Sequence, residues 1–337
     1  MPHSNPRSND QHPQTVNIRG RRQPYLEHRR IKRRDYYLLE RIGSPLRERY
    51  LAFDFDQGPG GSFFLVQTWP NGPLAEQQLR VLSGLKQDSL PRVVDWQPRG
   101  KTMDVVLTWI EGIPLDKYLE NIRKERRPWL DPGQAVRLIH GLANAVCQLH
   151  HKQQIAHGDI QPANVIVTSH PSRLVLIDFG SAWVAQDTAI REEGDGLNRC
   201  YAAPELSMNA DPIGFLADQF SVSVLLYQLL TQQLPYGSMG GKAGHPNHIE
   251  RAKDSLVAPS KASAACRKLP KSLRDAVDRV TTRGLALGAE ERYRDRHAWL
   301  DDLFETAARF RFKPELPPNE DALTRVIRWF FKPRADK

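Results

Sequence analysis

The chain has 337 residues, of which 40% are hydrophobic and 26% are charged, and its formal net charge is +9. This length and composition permit a sizeable buried core and exclude a fibrous or wholly disordered protein. The charge is concentrated at the ends: residues 1–34 carry +7 and residues 311–337 carry +3, which leaves residues 35–310 at −1. A nearly neutral body gives no indication of sequence-specific nucleic-acid binding.

The cysteines and the apolar runs indicate the compartment. Cys147, Cys200 and Cys266 are far apart and form no Cys-x-x-Cys pair, which favours free thiols over a disulfide framework or a zinc site. The N-terminal residues lack the apolar segment of a secretory signal, and no apolar run approaches the roughly 20 residues that span a bilayer. We therefore expect a cytoplasmic protein.

Residues 1–34 mix polar, proline and basic side chains with almost no core-forming periodicity, a composition typical of a disordered arm. Two interpretations of this basic arm remain open. It is either a solvated tail or a docking arm for an acidic partner, nucleic acid or an anionic membrane surface.

Ordered structure is expected from residue 35 onwards. Apolar patterns predict strands at Tyr36–Gly43, Arg49–Phe53, Ser62–Gln67, Leu90–Trp96 and Asp104–Trp109. A helix is predicted from Pro73 to Gln87, because Leu79, Leu82 and Leu85 follow a helical period. After residues 110–114, further helices are predicted at Leu115–Ile122, Ala135–His150, Lys271–Leu287 and Arg296–Arg309.

The stretch from residue 157 to residue 180 carries the chemistry. It begins His157-Gly158-Asp159, reaches Asn164 before an apolar run, and ends in Asp178-Phe179-Gly180 after a second run. Phosphoryl transfer uses such groups: one Asp accepts a hydroxyl proton, while an Asn and a second Asp hold magnesium against phosphate oxygens. The alternative is that these residues are turn formers between core strands.

These segments resemble the catalytic loop and the metal-binding loop of protein kinases. The segment Tyr201–Glu205 resembles the motif that closes the kinase activation segment, and the segment from Asp218 resembles the buried central helix of the large lobe. Arg292 matches the family's structural ion-pair partner of Glu205. The resemblance covers roughly residues 36–310.

The resemblance implies an α+β fold of two lobes. A small lobe over residues 35–110 would contain a five-stranded antiparallel sheet and one helix, and a large lobe over residues 111–310 would be mainly helical. It also implies that ATP and Mg²⁺ are bound. Asp159 would be the catalytic base, and Asn164 and Asp178 would be the metal ligands.

Five positions depart from the kinase pattern. The glycine-rich loop is reduced to residues 43–49, with Pro45 and Arg47 where glycines are expected, which impairs a backbone phosphate cradle. The other four departures are Gln67 at the strand lysine, Gln78 at its carboxylate partner, Gln161 at the catalytic-loop lysine and Asn198 at the bracing hydroxyl. Glu76 is an alternative for the carboxylate if the alignment is shifted by two residues.

The two lost lysines weaken the expected catalysis. By analogy with removal of one preorganised donor, each loss costs about 3 kcal/mol of transition-state stabilisation. Arg47 or Arg49 is a candidate replacement, much as with-no-lysine kinases supply a lysine from the glycine-rich loop; the alternative is an Arg directed into solvent. Gly43, Arg47 and Gln67 are thus the predicted nucleotide-binding residues, together with Asn164 and Asp178.

Three functions are compatible with the sequence. The first is a divergent serine/threonine protein kinase that phosphorylates a protein substrate weakly or conditionally. The second is a catalytically deficient pseudokinase that works as a binding or scaffold module for a protein partner. The third is a small-molecule phosphotransferase, a group that lacks features like Ala-Pro-Glu and Asp218.

Residues 311–337 form a basic amphipathic tail in sequence. Leu323, Val326, Ile327 and Phe330 fall on one helical stripe among basic residues. Such a segment docks on an anionic membrane, which would make the protein membrane-peripheral, or packs on its own domain or a partner.

Overall fold

The computed structural model describes residues 14–43, 48–55, 61–84, 89–153, 155–170, 172–179, 183–184, 198–207, 214–252 and 254–310. The chain divides into two compact units. Among the described residues, the first unit runs to Ser83 and includes Arg92–Trp109, and the second contains Gly84–Pro91 and residues 110–310.

The first unit is a β-structure with one helix. Its elements are β1 (Thr15–Ile18), β2 (Arg21–Pro24), β3 (Glu27–Ile31), β4 (Arg34–Arg41), β5 (Arg49–Asp54), β6 (Ser62–Pro70), α1 (Pro73–Gly84), β7 (Val93–Arg99) and β8 (Thr102–Thr108). Strands β1 and β2 form a separate hairpin, and the other six form one sheet in the order β3-β4-β5-β6-β8-β7. Every neighbouring pair of that sheet is antiparallel.

The prediction of a disordered arm over residues 1–34 is wrong for its described part. Residues 15–31 form three strands. Of these, β3 joins the main sheet, which therefore has six described strands where five were expected. In β3, Arg29 and Ile31 alternate with exposed His28 and Arg30. Charged residues on the outer positions of a strand do not prevent pairing when the alternate positions are buried. Residues 1–13 lie outside the described part of the chain.

Lys32, in the turn after β3, contacts strand β7 and so joins the two ends of the strand order. The Lys32 ammonium lies 3.0 Å from the Asp95 carboxylate and 4.8 Å from the centre of the Trp96 ring. The Lys32 backbone N–H donates to Oε1 of Gln97 at 2.5 Å. The sheet is therefore strongly curled around a buried apolar cluster, whose members are Ile31, Tyr36, Leu38, Ala52, Phe64, Val66 and Val106.

The second unit is mainly helical. It contains β9 (Ile113–Pro114), α2 (Leu115–Arg123), α3 (Pro132–Gln153), β10 (Ile155–Ala156), a 3-10 turn (Pro162–Asn164), β11 (Val165–Ser169), β12 (Ser172–Leu176), β13 (Trp183–Val184), α4 (Pro204–Ser207), α5 (Phe215–Thr231), α6 (Ile249–Ala252), α7 (Pro259–Ala262), α8 (Ala264–Arg267), α9 (Lys271–Gly284) and α10 (Arg296–Ala308). Two short sheets, β12-β11-β9 and β10-β13, frame the segment around residue 160.

Helix α5 is the buried axis of this unit. Apolar residues occur on all its sides, a pattern typical of a helix enclosed by protein, and it is buried along most of its length. It packs on α3, where Leu142, Val146 and Leu149 are fully buried. Because α5 is enclosed, the polar side chain of Asp218 in its first turn must find partners inside the protein.

The predicted ion pair between Glu205 and Arg292 is present. Arg292 Nη1 and Nη2 donate to the two carboxylate oxygens at 2.7 and 2.9 Å, and its side chain is fully buried. Arg292 Nη1 also donates to the carbonyl of Leu216 at 3.0 Å. The pair thus ties α4 to the start of α5 and is structural.

No helix among the described residues is long and apolar enough to cross a membrane. The tail at residues 311–337 lies outside the described part of the chain, as does the end of the predicted helix at residues 85–87.

Candidate active site

The loop at residues 157–159 is held by the buried carboxylate of Asp218. The backbone N–H groups of His157 and Gly158 donate to its two oxygens at 2.7 and 2.9 Å, and His150 Nε2 lies 3.0 Å from Oδ2. Gly158 has φ of +71°, a conformation that favours glycine. The sequence analysis identified Asp218 only as part of a helix. A carboxylate in an otherwise apolar helix could have indicated a buried hydrogen-bond acceptor.

Burial and hydrogen bonding shift the pKa of Asp218 in opposite directions. Burial alone would raise the pKa of this carboxyl, but the hydrogen bond with His150, electrostatic interactions with His150 and His157 and the Gly158 N–H lower it below its ordinary value. Asp218 is therefore an ionised anchor for the backbone of the loop.

Asp159 and Asn164, predicted to act together, are in direct contact. Asn164 Nδ2 donates to Asp159 Oδ2 at 2.8 Å and to its carbonyl oxygen at 2.9 Å. Gln161 Nε2 donates to Asp159 Oδ1 at 2.9 Å. Both carboxylate oxygens of the half-buried Asp159 are thus held by neutral donors, and neither of the Asn164 bonds uses its Oδ1.

Two of the departures from the kinase pattern contact each other. Asn198 Nδ2 donates to Gln161 Oε1 at 2.8 Å, and Asn198 Oδ1 accepts from the Cys200 backbone N–H at 3.2 Å. The sequence identified Gln161 and Asn198 separately as losses. Their mutual hydrogen bond was missed because 37 positions separate them, and no local pattern reports such a pair.

Asp178 follows β12 in a strained backbone conformation. Its φ is +66°, which is unfavourable for a residue with a Cβ atom and is found where the surroundings hold it. The preceding Ile177 N–H donates to the Asn164 carbonyl at 2.9 Å, and His157 Nε2 lies 3.1 Å from the Ile177 carbonyl. The His157 ring also packs edge-on against Phe179, with centroids 5.0 Å apart. The backbones that carry Asn164 and Asp178 are therefore neighbours.

The donor chemistry of this part of the site fits magnesium. Mg²⁺ prefers oxygen ligands and usually binds one or two protein groups together with phosphate and water. A carboxamide oxygen of Asn164 and the carboxylate of Asp178 are such groups. Among the described residues there is no cluster of three or more His, Cys, Asp or Glu side chains that would form an all-protein metal cage.

In the first unit, Gly43 begins the loop between β4 and β5. Its φ is +79°, and a Cβ atom built there meets nothing within 4 Å. There is room for a side chain, so glycine is favoured at this position because of the positive φ. The Ile42 N–H donates to the Arg49 carbonyl at 2.8 Å and closes the loop. Residues 44–47 lie outside the described part of the chain, and the assignment of Arg47 to nucleotide binding stays a prediction.

Gln67, which is predicted to replace the strand lysine, has a neutral partner. It is buried, and its Oε1 accepts from Nε1 of Trp69 at 2.9 Å. Arg49 is the register partner of Gln67 on β5, so the two side chains project from the same face of the sheet. On α1, Gln78 is buried whereas Glu76 is exposed, so Gln78 lies on the inner side of that helix.

Comparison with known proteins defines the family. Residues 74–287, close to two thirds of the chain, match the model of the protein kinase domain. The chain therefore belongs to the protein kinase family. The expected α+β kinase fold is confirmed by its similarity to the crystal structure of a mutant of the PknI kinase domain of Mycobacterium tuberculosis, with a TM-score of 0.53 and 21% identity over 81% of this chain and 95% of that one.

Two of the sequence relatives are bacterial proteins of greater length than this chain. Serine/threonine-protein kinase PknH of Mycobacterium tuberculosis is 26% identical over 65% of this chain and 32% of its own length. Serine/threonine-protein kinase PksC of Streptomyces coelicolor is 28% identical over 62% of this chain and 36% of its own length. The chain spans about a third of the length of these curated relatives.

Proposed function

We propose that the chain is a divergent serine/threonine protein kinase that binds ATP with magnesium and phosphorylates a protein substrate at a reduced rate. The observation that carries this proposal is the held carboxylate of Asp159, with Gln161 on one oxygen and Asn164 on the other. Membership of the kinase family and the names of its relatives support the reaction class.

Asp159 would accept the proton of the substrate hydroxyl. That hydroxyl oxygen forms a bond to the γ-phosphorus while the bond to the β,γ-bridging oxygen breaks, and ADP leaves with the electron pair. Each carboxylate oxygen can accept more than one hydrogen bond, so the two bonds to Asp159 do not block the hydroxyl. Asn164 and Asp178 would hold magnesium, which neutralises phosphate charge when bound.

The reduced rate follows from two neutral side chains at lysine positions. Gln67 is bonded to Trp69, and Gln161 is bonded to Asp159 and Asn198. Neither carries the positive charge that stabilises a transferring phosphate, and each loss is worth about 3 kcal/mol, or a factor of 10² to 10³ in rate.

Arg49 is the proposed source of the missing charge in the first unit. Its guanidinium is always protonated and pairs well with phosphate oxygens, and it shares a sheet face with Gln67. We expect Arg49→Ala to weaken ATP binding roughly tenfold or more, measured by thermal-shift titration with ATP and Mg²⁺. The control is Arg22→Ala, at an exposed position of β2. Full affinity in Arg49→Ala, with loss in Arg47→Ala, would transfer the role to Arg47.

The pseudokinase is the second candidate, and the Trp69–Gln67 hydrogen bond favours it. The Gln67 side chain is neutral and its Oε1 already accepts from Trp69, so it provides no positive charge for a phosphate. Titration with ATP and Mg²⁺, paired with a transfer assay from γ-labelled ATP, separates the candidates. Binding without transfer supports the pseudokinase, and binding with transfer supports the divergent kinase. The buried Glu205–Arg292 pair disfavours the small-molecule phosphotransferase.

A further inference from the structure

We propose that Asn198 and Gln161 form a directed chain of hydrogen bonds, here termed the carboxamide relay, through which the segment 198–202 positions Asp159. The relay consists of the Cys200 N–H, the Asn198 and Gln161 side chains and the Asp159 carboxylate. The inference deepens the proposed function, since it concerns the base of that reaction, and its first test does not require activity.

The direction of the relay is fixed at both ends. The Cys200 backbone N–H can only donate, so Asn198 presents Oδ1 to it and Nδ2 to Gln161. A carboxylate can only accept, so Gln161 presents Nε2 to Asp159 and Oε1 to Asn198. Reversing either amide would place donor against donor or acceptor against acceptor.

The outer end of the relay rests on a firmly held segment. The backbone N–H groups of Tyr201 and Ala202 donate to the Asn198 carbonyl at 2.9 and 3.1 Å, and the Gly241 N–H donates to the Cys200 carbonyl at 3.0 Å. A Cβ atom on Gly241 would lie 1.8 Å from the Ala202 carbonyl oxygen, so the two backbones are in close contact. A displacement of this segment must therefore move Asn198.

The relay also explains why the two departures occur together. A lysine has three donors and no acceptor, so a lysine at position 161 would face Asn198 Nδ2 donor to donor. If the Asn198 amide were reversed to present Oδ1 to that lysine, its Nδ2 would face the Cys200 N–H, and two donors would again meet. Gln161 and Asn198 are thus one matched unit, in which Gln161 bonds directly to Asp159 and Asn198 acts through Gln161.

The first test measures the relay without catalysis. Asn198→Leu retains a side chain of similar size but removes both hydrogen bonds. We expect it to move the ¹³Cγ resonance of Asp159 and to accelerate hydrogen exchange of the Gln161 side-chain amide. Asn198→Thr, whose hydroxyl can donate and accept, should restore both signals towards wild type. Asn144→Leu, at an exposed position of α3, is the control and should change neither.

The second test measures catalysis. Asn198→Leu is expected to lower kcat roughly tenfold or more and to change KM for ATP less than about twofold, because the relay orients the base and does not bind the nucleotide. Asn198→Thr should regain most of kcat. Unchanged Asp159 and Gln161 signals in Asn198→Leu would overturn the relay, and changed signals with unchanged kcat would overturn its positioning role. If the wild type transfers no phosphate, the proposed function fails and the first test alone decides the relay.

Discussion

Gln67 and Gln161 make hydrogen bonds that suit a neutral amide and that a lysine side chain could not make. A buried amide needs partners, because an unpaired one costs about 1–3 kcal/mol. Trp69 supplies a donor to Gln67, and Asn198 supplies one to Gln161. The neighbours of both positions therefore suit a neutral side chain. A lysine placed at either position would meet a hydrogen-bond donor where the glutamine presents an acceptor.

Gln67→Lys should for this reason destabilise the protein. The change places an ammonium at a position that is 6% exposed, beside the Trp69 N–H and in a unit whose α1 presents Gln78 where a carboxylate is expected. We expect the free energy of unfolding to fall by about 1–3 kcal/mol, measured by urea titration. Gln14→Lys, at an exposed position, is the control. An unchanged midpoint in Gln67→Lys would show that the site accommodates a cation.

The three thiols differ in their expected reactivity. All are free, as the sequence predicts. Burial raises the pKa of Cys147 to about 12 and that of Cys266 to about 11, whereas Cys200 is half-buried. At a pH of about 8, iodoacetamide should therefore alkylate Cys200 first, because only a thiolate reacts. Mass spectrometry of the native protein checks this order, and equal labelling of Cys147 would contradict it.

Among the elements, strand β3 changes the first unit most. It extends the sheet beyond β4 and brings Arg29 to Asp104 of β8, with Nη1 and Oδ1 2.8 Å apart. Arg29 also donates through Nε and Nη2 to the two oxygens of Glu27 at 3.0 and 2.7 Å. Since the Arg29 and Asp104 side chains are only 8% and 5% exposed, this pair is a buried link between strands that are not neighbours in the sheet.

Arg29→Met should break this link. The change leaves Asp104 buried, with Arg99 at 3.7 Å as its nearest remaining cation, and removal of one partner of a buried pair costs roughly 3 kcal/mol. Urea unfolding of the variant should show that loss. Arg22→Met removes an exposed Arg of β2 and should leave the unfolding midpoint within about 0.5 kcal/mol. Equal effects of the two changes would exclude a structural role for the pair.

The sequence predicts most elements correctly where one pattern dominates. Helices α2, α3, α9 and α10 and strands β4 to β8 follow apolar periodicity, and their bounds agree within a few residues. Strand β3 was missed because its buried residues are Arg29 and Ile31, and a buried Arg is indistinguishable from a solvated one before its partner is known. Asp159 and Asn164 were singled out from the family resemblance, but neither their hydrogen bond nor the Asn198–Gln161 bond could be predicted, because the fold brings these side chains together.

At the scale of the whole molecule, Asp218 links the stability of the second unit to pH. The pKa of this carboxyl is lowered in the folded protein, so it contributes stability above its unfolded pKa of about 3.9. That contribution is lost as pH falls through the lower folded pKa. The loop that carries Asp159 is fixed by the same carboxylate, so acid should release the candidate base and weaken the fold together.

Asp218→Asn tests this connection. We expect the variant to be less stable than wild type near neutral pH. The difference should shrink as pH falls below about 4, where the carboxyl of the unfolded chain takes up a proton, and should be lost once pH falls through the lower pKa of the folded protein. Urea unfolding across that pH range measures both curves. A constant difference at all pH values would show that the charge of Asp218 does not contribute. Asp301→Asn, at an exposed position of α10, is the control.

Asp159 is the proposed base of the phosphoryl transfer, and its loss should therefore affect that reaction most directly. The direct measurement is the transfer of label from γ-labelled ATP, with Mg²⁺, to the protein itself or to a generic protein substrate. Wild type and Asp301→Asn are predicted to give the same slow incorporation on serine or threonine, and Asp159→Asn should reduce it by roughly 10² or more. Incorporation that persists unchanged in Asp159→Asn, or its absence in the wild type when ATP is bound, would contradict the account.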